Sequence, residues 1–331
     1  MESLSRIDDL GFRCPECRNA LRLVDTSEGS RCRECGWVAP TRDGVLDFVS
    51  DPERAAEREF YDQGYVDLQK RRVPPIPIES LAYRWHDPRM APDPSVFSHL
   101  GAVRDKRVVL LGNGASDKEL FFLTQQPRSL VLSDLSAEAV RAIRDRYRLD
   151  DYDGVVHFAA IDALDLPFLD ESQDVVYGYA FAHHLSDLDP FLAEVARVLR
   201  PGGRAVFMDD AYAPGWQRAK LTVLRPLMRY SHRRKPISPE DLRATLGGGF
   251  KEDDLSARIR ALGGEPWFHR ENFLFYFWTR AVVCLSPKRF AHVGQHAGIT
   301  RALHAADQRL SRYRLVRRNL IRMVWGFDKP R

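Results

Sequence analysis

Val108-Val109-Leu110-Leu111-Gly112-Asn113-Gly114-Ala115-Ser116 is an apolar run that stops at a glycine-rich turn. Adjacent aliphatic residues suit a strand buried on both faces, as strands of a parallel sheet are. Glycine lets the backbone approach a ligand closely, and a helix starting behind the turn offers unpaired N–H groups. A G-x-G alone says little. It gains weight from Asp134, about 20 residues on in Leu132-Ser133-Asp134-Leu135-Ser136, where an acid at a strand end can accept hydrogen bonds from ribose hydroxyls.

Outward from that turn, short apolar runs alternate with amphipathic stretches, the pattern of a parallel sheet wound with helices. The spacing predicts strands over Arg107–Leu111, Ser129–Ser133, Val155–Ala160, Asp174–Tyr179 and Arg204–Met208, with a final one over Val324–Phe327. Helices are expected over Asp117–Gln125, Ala137–Tyr147 and Asp189–Leu199. The third strand ends in another acid, in Ala160-Ile161-Asp162-Ala163. His183-His184-Leu185 follows the fourth, and Arg200-Pro201-Gly202-Gly203 leads into the fifth.

These motifs, in this order from about Lys106 to Asp210, resemble the class I S-adenosylmethionine-dependent methyltransferases, in particular the type 11 group that includes quinone C-methyltransferases. The resemblance implies an α/β fold, a Rossmann-like seven-stranded sheet with helices on both faces. It implies a cofactor set of Gly112, Asn113 and Gly114 along the methionine and ribose part, and Asp134 with Leu135 at the ribose. Asp162 would accept from the adenine amino group with the Ala163 amide beside it, and Tyr179 and Ala180 would border the transferable methyl. The Pro-Gly-Gly turn would be structural. Two positions depart from the family pattern: Leu110 stands where an acid is usual, and Ser116 where a third glycine is. Asp117 or a connector residue would substitute for the acid, or cofactor binding would be weaker. A nicotinamide-binding domain is the structural rival, but its third glycine position holds Asp117.

Upstream, Cys14-Pro15-Glu16-Cys17 and Cys32-Arg33-Glu34-Cys35-Gly36 use four of the five cysteines. Each C-x-x-C turn points two sulfurs at one centre, and four thiolates are the tetrahedral set of a structural zinc. A unit this short buries too little surface to fold alone, so metal would supply the folding energy. With no open position the zinc would be structural. A redox pair is the alternative, without a thioredoxin-like pattern to support it. Cys284, in an apolar run, reads as a buried residue. Zinc ribbon followed by methyltransferase is also similar in layout to bacterial rRNA guanine-N1 methyltransferases.

The chain thus divides into a zinc ribbon at 1–50, a helical and proline-rich connector at 51–100 and the methyltransferase domain at 101–331. Elements facing substrate are expected from about 211 to 322. A connector helix is expected from Pro52 to about Arg72, and another helix opening at Ser238-Pro239-Glu240-Asp241. At 44% apolar and 29% charged, the 331 residues have a globular composition. Without a signal peptide or a long apolar span, the expected location is the cytoplasm.

Methyl transfer from a sulfonium is an in-line displacement, and a protonated acceptor must lose a proton. Candidate bases are His183 and His184, alternatively helix-start residues, and Asp209 and Asp210, alternatively caps of the following turn. Trp216, Tyr230 and His232-Arg233-Arg234-Lys235 would build the acceptor's surroundings. The aromatic run from Phe273 is either core or a wall for an apolar acceptor, and it also suits contact with a membrane surface. Arg309, Arg312, Arg314, Arg317, Arg318 and Arg322 are either a solvated face or a surface for anions such as RNA or lipid head groups. The preferred acceptor is a small or lipid-like molecule: a natural product, quinone or glycolipid intermediate. A base of ribosomal or transfer RNA is the alternative, and a non-catalytic cofactor-binding module a third reading. Oligomeric state is not encoded in any motif.

Overall fold

Parallel strands need long crossovers, and the order in which the apolar runs pair decides where a cleft opens. The computed structural model describes residues 10–26, 29–42, 44–49, 54, 57–63, 76–77, 97–114, 119–145, 147–148, 155–185, 187–213, 249–271, 302–303, 305–306, 309–320 and 322–331. The N-terminal part holds a hairpin of β1 (Leu23–Thr26) and β2 (Gly29–Cys32), then β3 (Thr41–Arg42) and β4 (Val45–Asp47). A parallel pair joins β5 (Ile76–Pro77) to β8 (Tyr147–Arg148). The main sheet adds β6 (Arg107–Leu111), β7 (Ser129–Asp134), β9 (Val155–Ala160), β10 (Gln173–Tyr179), β11 (Leu199–Asp210), β12 (Glu265–Glu271) and β13 (Arg322–Asp328). The labelled helices are α1 (Glu119–Thr124), α2 (Ala137–Arg144), α3 (Leu188–Val198), α4 (Glu252–Ala261) and α5 (Arg314–Arg317), and a short helix in the connector covers 57–63.

The main sheet runs β12-β13-β11-β10-β6-β7-β9-β4-β3. Strands β11, β10, β6, β7 and β9 are parallel neighbours, and β13 enters antiparallel between β11 and β12. The first seven strands of that order form the parallel-dominated sheet implied by the resemblance. The last two come from the N-terminal part: β4 pairs parallel with β9, and β3 closes the edge as a short hairpin. The row direction reverses at β6, whose two neighbours lead to opposite ends of the sheet, so a crevice opens beyond its C-terminal end.

Alternation along each strand sorts the core into two clusters. Val109, Leu111, Val131, Val176 and Phe207 face one side and meet α3 and α4 through Phe191, Leu192, Val195, Leu255 and Ile259. Val108, Leu110, Leu132, Tyr177 and Met208 face the other and meet α1 and α2 through Phe122, Leu123, Val140 and Ile143. Leu110 is fully buried there, so the usual acid position is filled by core packing.

The N-terminal part is fused to the first of these clusters. Leu10, Phe12, Cys14, Leu21 and Cys32 are buried in it. Phe12 stacks on Phe168 with ring centroids 4.9 Å apart, and the Arg13 amide donates to the Pro167 carbonyl at 3.0 Å.

Differences from the expected elements have local causes. α2 stops at Arg144, where the Asp145 amide caps Arg141, and Tyr147–Arg148 pairs with the connector's β5 instead of extending the helix. β11 begins at Leu199, five residues early, because Leu199 pairs with Gln173 across a register shift and Arg200-Pro201-Gly202-Gly203 forms an irregularity inside the strand. β12 and α4 fall in the stretch where the sequence alternation fades. β12 is an edge strand containing Pro266 and two acids, a composition that suits an edge and hides the period of two. Ser238–Asp241 lies outside the described residues, as does the proline-rich part of the connector apart from Ile76–Pro77, and so do Trp216, Tyr230, His232–Lys235, the run from Phe273, Cys284, Ser116 and Asp117.

Candidate functional site

The ends of β6, β7, β9 and β10 surround a cleft that is partly open to solvent. Leu111, Gly112 and Gly114 enter it from β6, Asp134 and Leu135 from β7, Ile161, Asp162 and Ala163 from β9, and Ala180 and Phe181 from β10. Of the nine residues the sequence assigned to the cofactor, seven line this cleft. Asn113 is buried beneath the turn, its amide donating to the Ser133 carbonyl at 3.0 Å. Tyr179 does not line it either. Its hydroxyl accepts from Arg322 at 3.0 Å, with the guanidinium 5.7 Å from its ring centroid.

Gly112 and Gly114 both adopt left-handed φ, +57° and +53°, which explains why the turn needs glycine at both positions. Gly112 has a second reason: a Cβ there would collide with the Phe181 ring, which fills the hollow left by Gly112 and Gly178. Ala180 holds φ +55° without being glycine, a strained backbone of the kind that clusters at working sites. These features leave a backbone cradle under the cleft.

Asp134 is held by the turn it serves. Its Oδ2 accepts from the Gly114 amide at 2.8 Å and its Oδ1 from the Ser136 amide at 3.0 Å. Burial pushes its carboxyl up, opposed by those two N–H groups, with Asp62 raising it further. Asp162 accepts from the Leu164 amide at 2.9 Å and from Arg54, whose Nε lies 2.9 Å away. Arg54, Glu57 and Tyr61 of the connector also line the cleft. The sequence reading named a connector residue only in general terms. Those residues sit in a charged helical stretch whose pattern says nothing of what it covers.

Beyond Phe181, the two histidine rings lie 4.2 Å apart between centroids and make different further contacts. His184 lines the cleft with Leu185. His183 turns to Asp209, Nδ1 to Oδ1 at 2.8 Å. Asp209 is buried at the end of β11, and its Oδ2 accepts from the Trp325 indole at 3.1 Å. With Nδ1 donating to the carboxylate, the lone pair of His183 lies on Nε2, the arrangement of an oriented base. Asp210 follows at the strand end, its carbonyl accepting from the Phe250 amide. The structure therefore joins two of the four base candidates, His183 and Asp209. Trp325 was missed because only antiparallel β13 brings the far end of the chain to β11.

Away from the cleft, the sulfurs of Cys14, Cys17, Cys32 and Cys35 lie within 4.8 Å of one another. Cys14 and Cys35 approach to 3.6 Å and Cys17 and Cys32 to 4.0 Å, beside an edge of about 3.8 Å for a tetrahedron of 2.3 Å zinc–sulfur bonds. The two turns repeat one geometry. Arg18 and Gly36 both take left-handed φ, and their amides donate to the Cys14 and Cys32 carbonyls. Burial pushes the Cys14 thiol up to about 12, a cost that a bound cation would reverse. The donor set fits a four-coordinate metal.

Comparison with known proteins agrees with the geometry. Residues 110–207 match the family described as methyltransferase domain. A fatty-acid O-methyltransferase of Mycolicibacterium smegmatis is 33% identical over 135 residues, 40% of this chain and 47% of that protein. A phthiotriol/phenolphthiotriol dimycocerosates methyltransferase of Mycobacterium tuberculosis is 36% identical over 152 residues, 44% and 52% of the two chains. The chain spans about half the length of these curated relatives. Among solved structures, phosphoethanolamine N-methyltransferase 2 of Haemonchus contortus, in complex with S-adenosyl-L-methionine, superposes with a TM-score of 0.50 at 13% identity, covering 83% of this chain and 60% of that one. That likeness speaks for the fold.

Proposed function

We propose that this chain, whose residues 110–207 form a class I methyltransferase domain, transfers a methyl group from S-adenosylmethionine to a hydroxyl of a small, lipid-like acceptor. The observation that carries the reading is the cleft at the switch point of the sheet, with a left-handed glycine turn on one side and a carboxylate at each of the two following strand ends. Bound there, the cofactor would supply an electrophilic methyl on a sulfonium. Asp134 retains lone pairs for ribose hydroxyls after accepting from Gly114 and Ser136. Gly112 and Gly114 let the chain pass close beneath the ligand, and Asp162 and the Ala163 amide would meet the adenine edge.

His183 would take the acceptor's proton on Nε2, and Asp209, itself steadied by Trp325, would orient the imidazole and stabilise the cation that results. A relative named fatty-acid O-methyltransferase and one from Aspergillus nomiae named only as an O-methyltransferase support a hydroxyl or carboxyl oxygen as the target. A base is useful only for the hydroxyl, which is why the dyad favours it. The four-cysteine cluster would hold a structural zinc, remote from this chemistry and tied to the fold through Phe12 and Phe168. Among the described residues no helix is long and apolar enough to cross a membrane.

The test is transfer of a labelled methyl from S-adenosylmethionine to a lipid and small-molecule extract, with total RNA in parallel. Label is expected in the extract. Robust, salt-sensitive labelling of RNA would overturn the acceptor class.

A further inference from the structure

The strand ends do not build the cleft alone. Arg54, Glu57 and Tyr61, from the connector residue 54 and the short helix at 57–63, complete its lining. Three contacts hold this segment to the sheet. Arg54 donates to both oxygens of Asp162, Nε at 2.9 Å and the nearer terminal nitrogen at 3.4 Å. Arg58 donates to both oxygens of Asp47, in β4, at 3.1 and 2.6 Å. Asp62 accepts from the Ser136 hydroxyl at 2.5 Å and the Glu138 amide at 3.3 Å, at the start of α2.

These are not loose surface pairs. Side chains of Arg54, Asp162, Arg58 and Asp47 are only 12–16% exposed, and two-point guanidinium–carboxylate contacts combine charge with fixed geometry. Burial alone would lower the Arg54 guanidinium, but the Asp162 and Glu57 carboxylates outweigh it and hold it charged. A carboxylate accepts about four hydrogen bonds. The described N–H groups on Asp162 come from Arg54 and Leu164, which leaves acceptor capacity in a carboxylate whose rotation is now locked. Such an acceptor favours the amino group of adenine over the keto oxygen of hypoxanthine, whose lone pairs would face the charge.

We propose that Arg54 and the short helix at 57–63 form a cofactor clamp. In it Arg54 is a positioning residue that aims Asp162 at the adenine amino group, Glu57 and Tyr61 wall the ligand, and the Arg58–Asp47 pair holds the segment in place from outside the cleft. The clamp rests on reading the cleft as the S-adenosylmethionine site. It also makes the N-terminal part a contributor to cofactor binding, because Asp47 sits on the strand that part adds to the sheet.

Calorimetry with S-adenosylhomocysteine and S-inosylhomocysteine on the full chain tests it. The Arg54→Met variant should bind S-adenosylhomocysteine about tenfold more weakly, and its preference over the inosine analogue should shrink. Arg58→Met, at a residue that is not part of the cleft lining, should weaken binding about threefold, with Arg58→Lys restoring part of it. Hydrogen exchange needs no variant: in the wild-type chain, amides at 57–63 should slow when S-adenosylhomocysteine is added. Unchanged affinity and preference in both methionine variants, with only a lower melting temperature, would reduce the segment to a brace and overturn the clamp. Unchanged exchange at 57–63 in a wild-type chain that binds the ligand would do the same. A wild-type chain that binds no S-adenosylhomocysteine would overturn the reading of the cleft and the clamp with it.

Discussion

The cysteine cluster and the cofactor cleft are assembled by opposite means. The cluster takes its four sulfurs from two turns whose outermost members are 21 positions apart, each turn shaped by its own backbone hydrogen bonds. The cleft takes its lining from five places between Arg54 and Leu185, none of which can form it without the sheet. A local site can be positioned by its own turns and stabilised by its ligand. An assembled site inherits its geometry from the core beneath it. The two meet where Phe12 stacks on Phe168, six residues past Asp162, and where β4 pairs with β9.

The largest expected effect breaks the local site. Replacing Cys14 and Cys17 by serine should abolish metal binding and cost several kcal/mol, since structural zinc contributes roughly 10–16 kcal/mol in isolated zinc-finger peptides. Because Cys14 and Cys32 belong to the same core as the sheet, the melting temperature of the whole chain should fall. Elemental analysis should find one zinc per wild-type chain. A metal-free wild-type chain of unchanged stability would refute the ribbon.

Next comes the chemistry of the assembled site. His183→Ala should slow methyl transfer on the order of 10²–10⁴-fold while leaving affinity for S-adenosylhomocysteine unchanged, because the imidazole turns toward Asp209 and not into the cofactor cleft. Equal losses in rate and cofactor affinity would place His183 in the cofactor wall instead. Asp134→Ala removes a charged acceptor and should weaken cofactor binding by about 1.5–3 kcal/mol, measured by calorimetry. Wild-type affinity in that variant would mean that the ribose lies elsewhere.

The smallest effect probes the seam. His157 lies on β9, between β7 and the N-terminal β4, and burial lowers its pKa to about 4. An unfolded chain takes up this proton below about pH 6.5, so between there and pH 4 the unfolded state binds more protons and stability falls as pH falls. With part of the ring reached by solvent, the loss should be about 2 kcal/mol by pH 4. Chemical denaturation of His157→Phe across that window should show a flatter acid limb than wild type. A parallel acid limb would assign the pH dependence to carboxylates.

Legibility followed sequence distance. Each C-x-x-C pair, the Gly112–Gly114 turn and the acids at Asp134 and Asp162 are short motifs whose spacing already encodes a turn or a strand end. Arg107–Leu111 and Val155–Ala160 read correctly to the residue, the first because both its faces are buried and the second because its apolar residues flank a single polar side chain, His157. β12 did not, since an edge strand pairs on one side only and tolerates Pro266 and charge. Arg54 and Trp325 were invisible for another reason: each is far along the chain from its partner, 108 positions from Asp162 and 116 from Asp209.

By itself the sequence determined the residue types and the local turns: four thiolates in two knuckles, a glycine turn that tolerates left-handed backbone, and strands apolar enough to be buried on both faces. Only the tertiary structure decided which candidates act together. It gave His184 a place in the cleft lining and His183 a bond to Asp209, although their ring centroids lie only 4.2 Å apart. It put Leu110 into the core on the opposite face from Leu111 because strand residues alternate. It also carried the connector's Arg54 onto Asp162, a pairing set by where β4 docks against β9 and not by any motif in the chain.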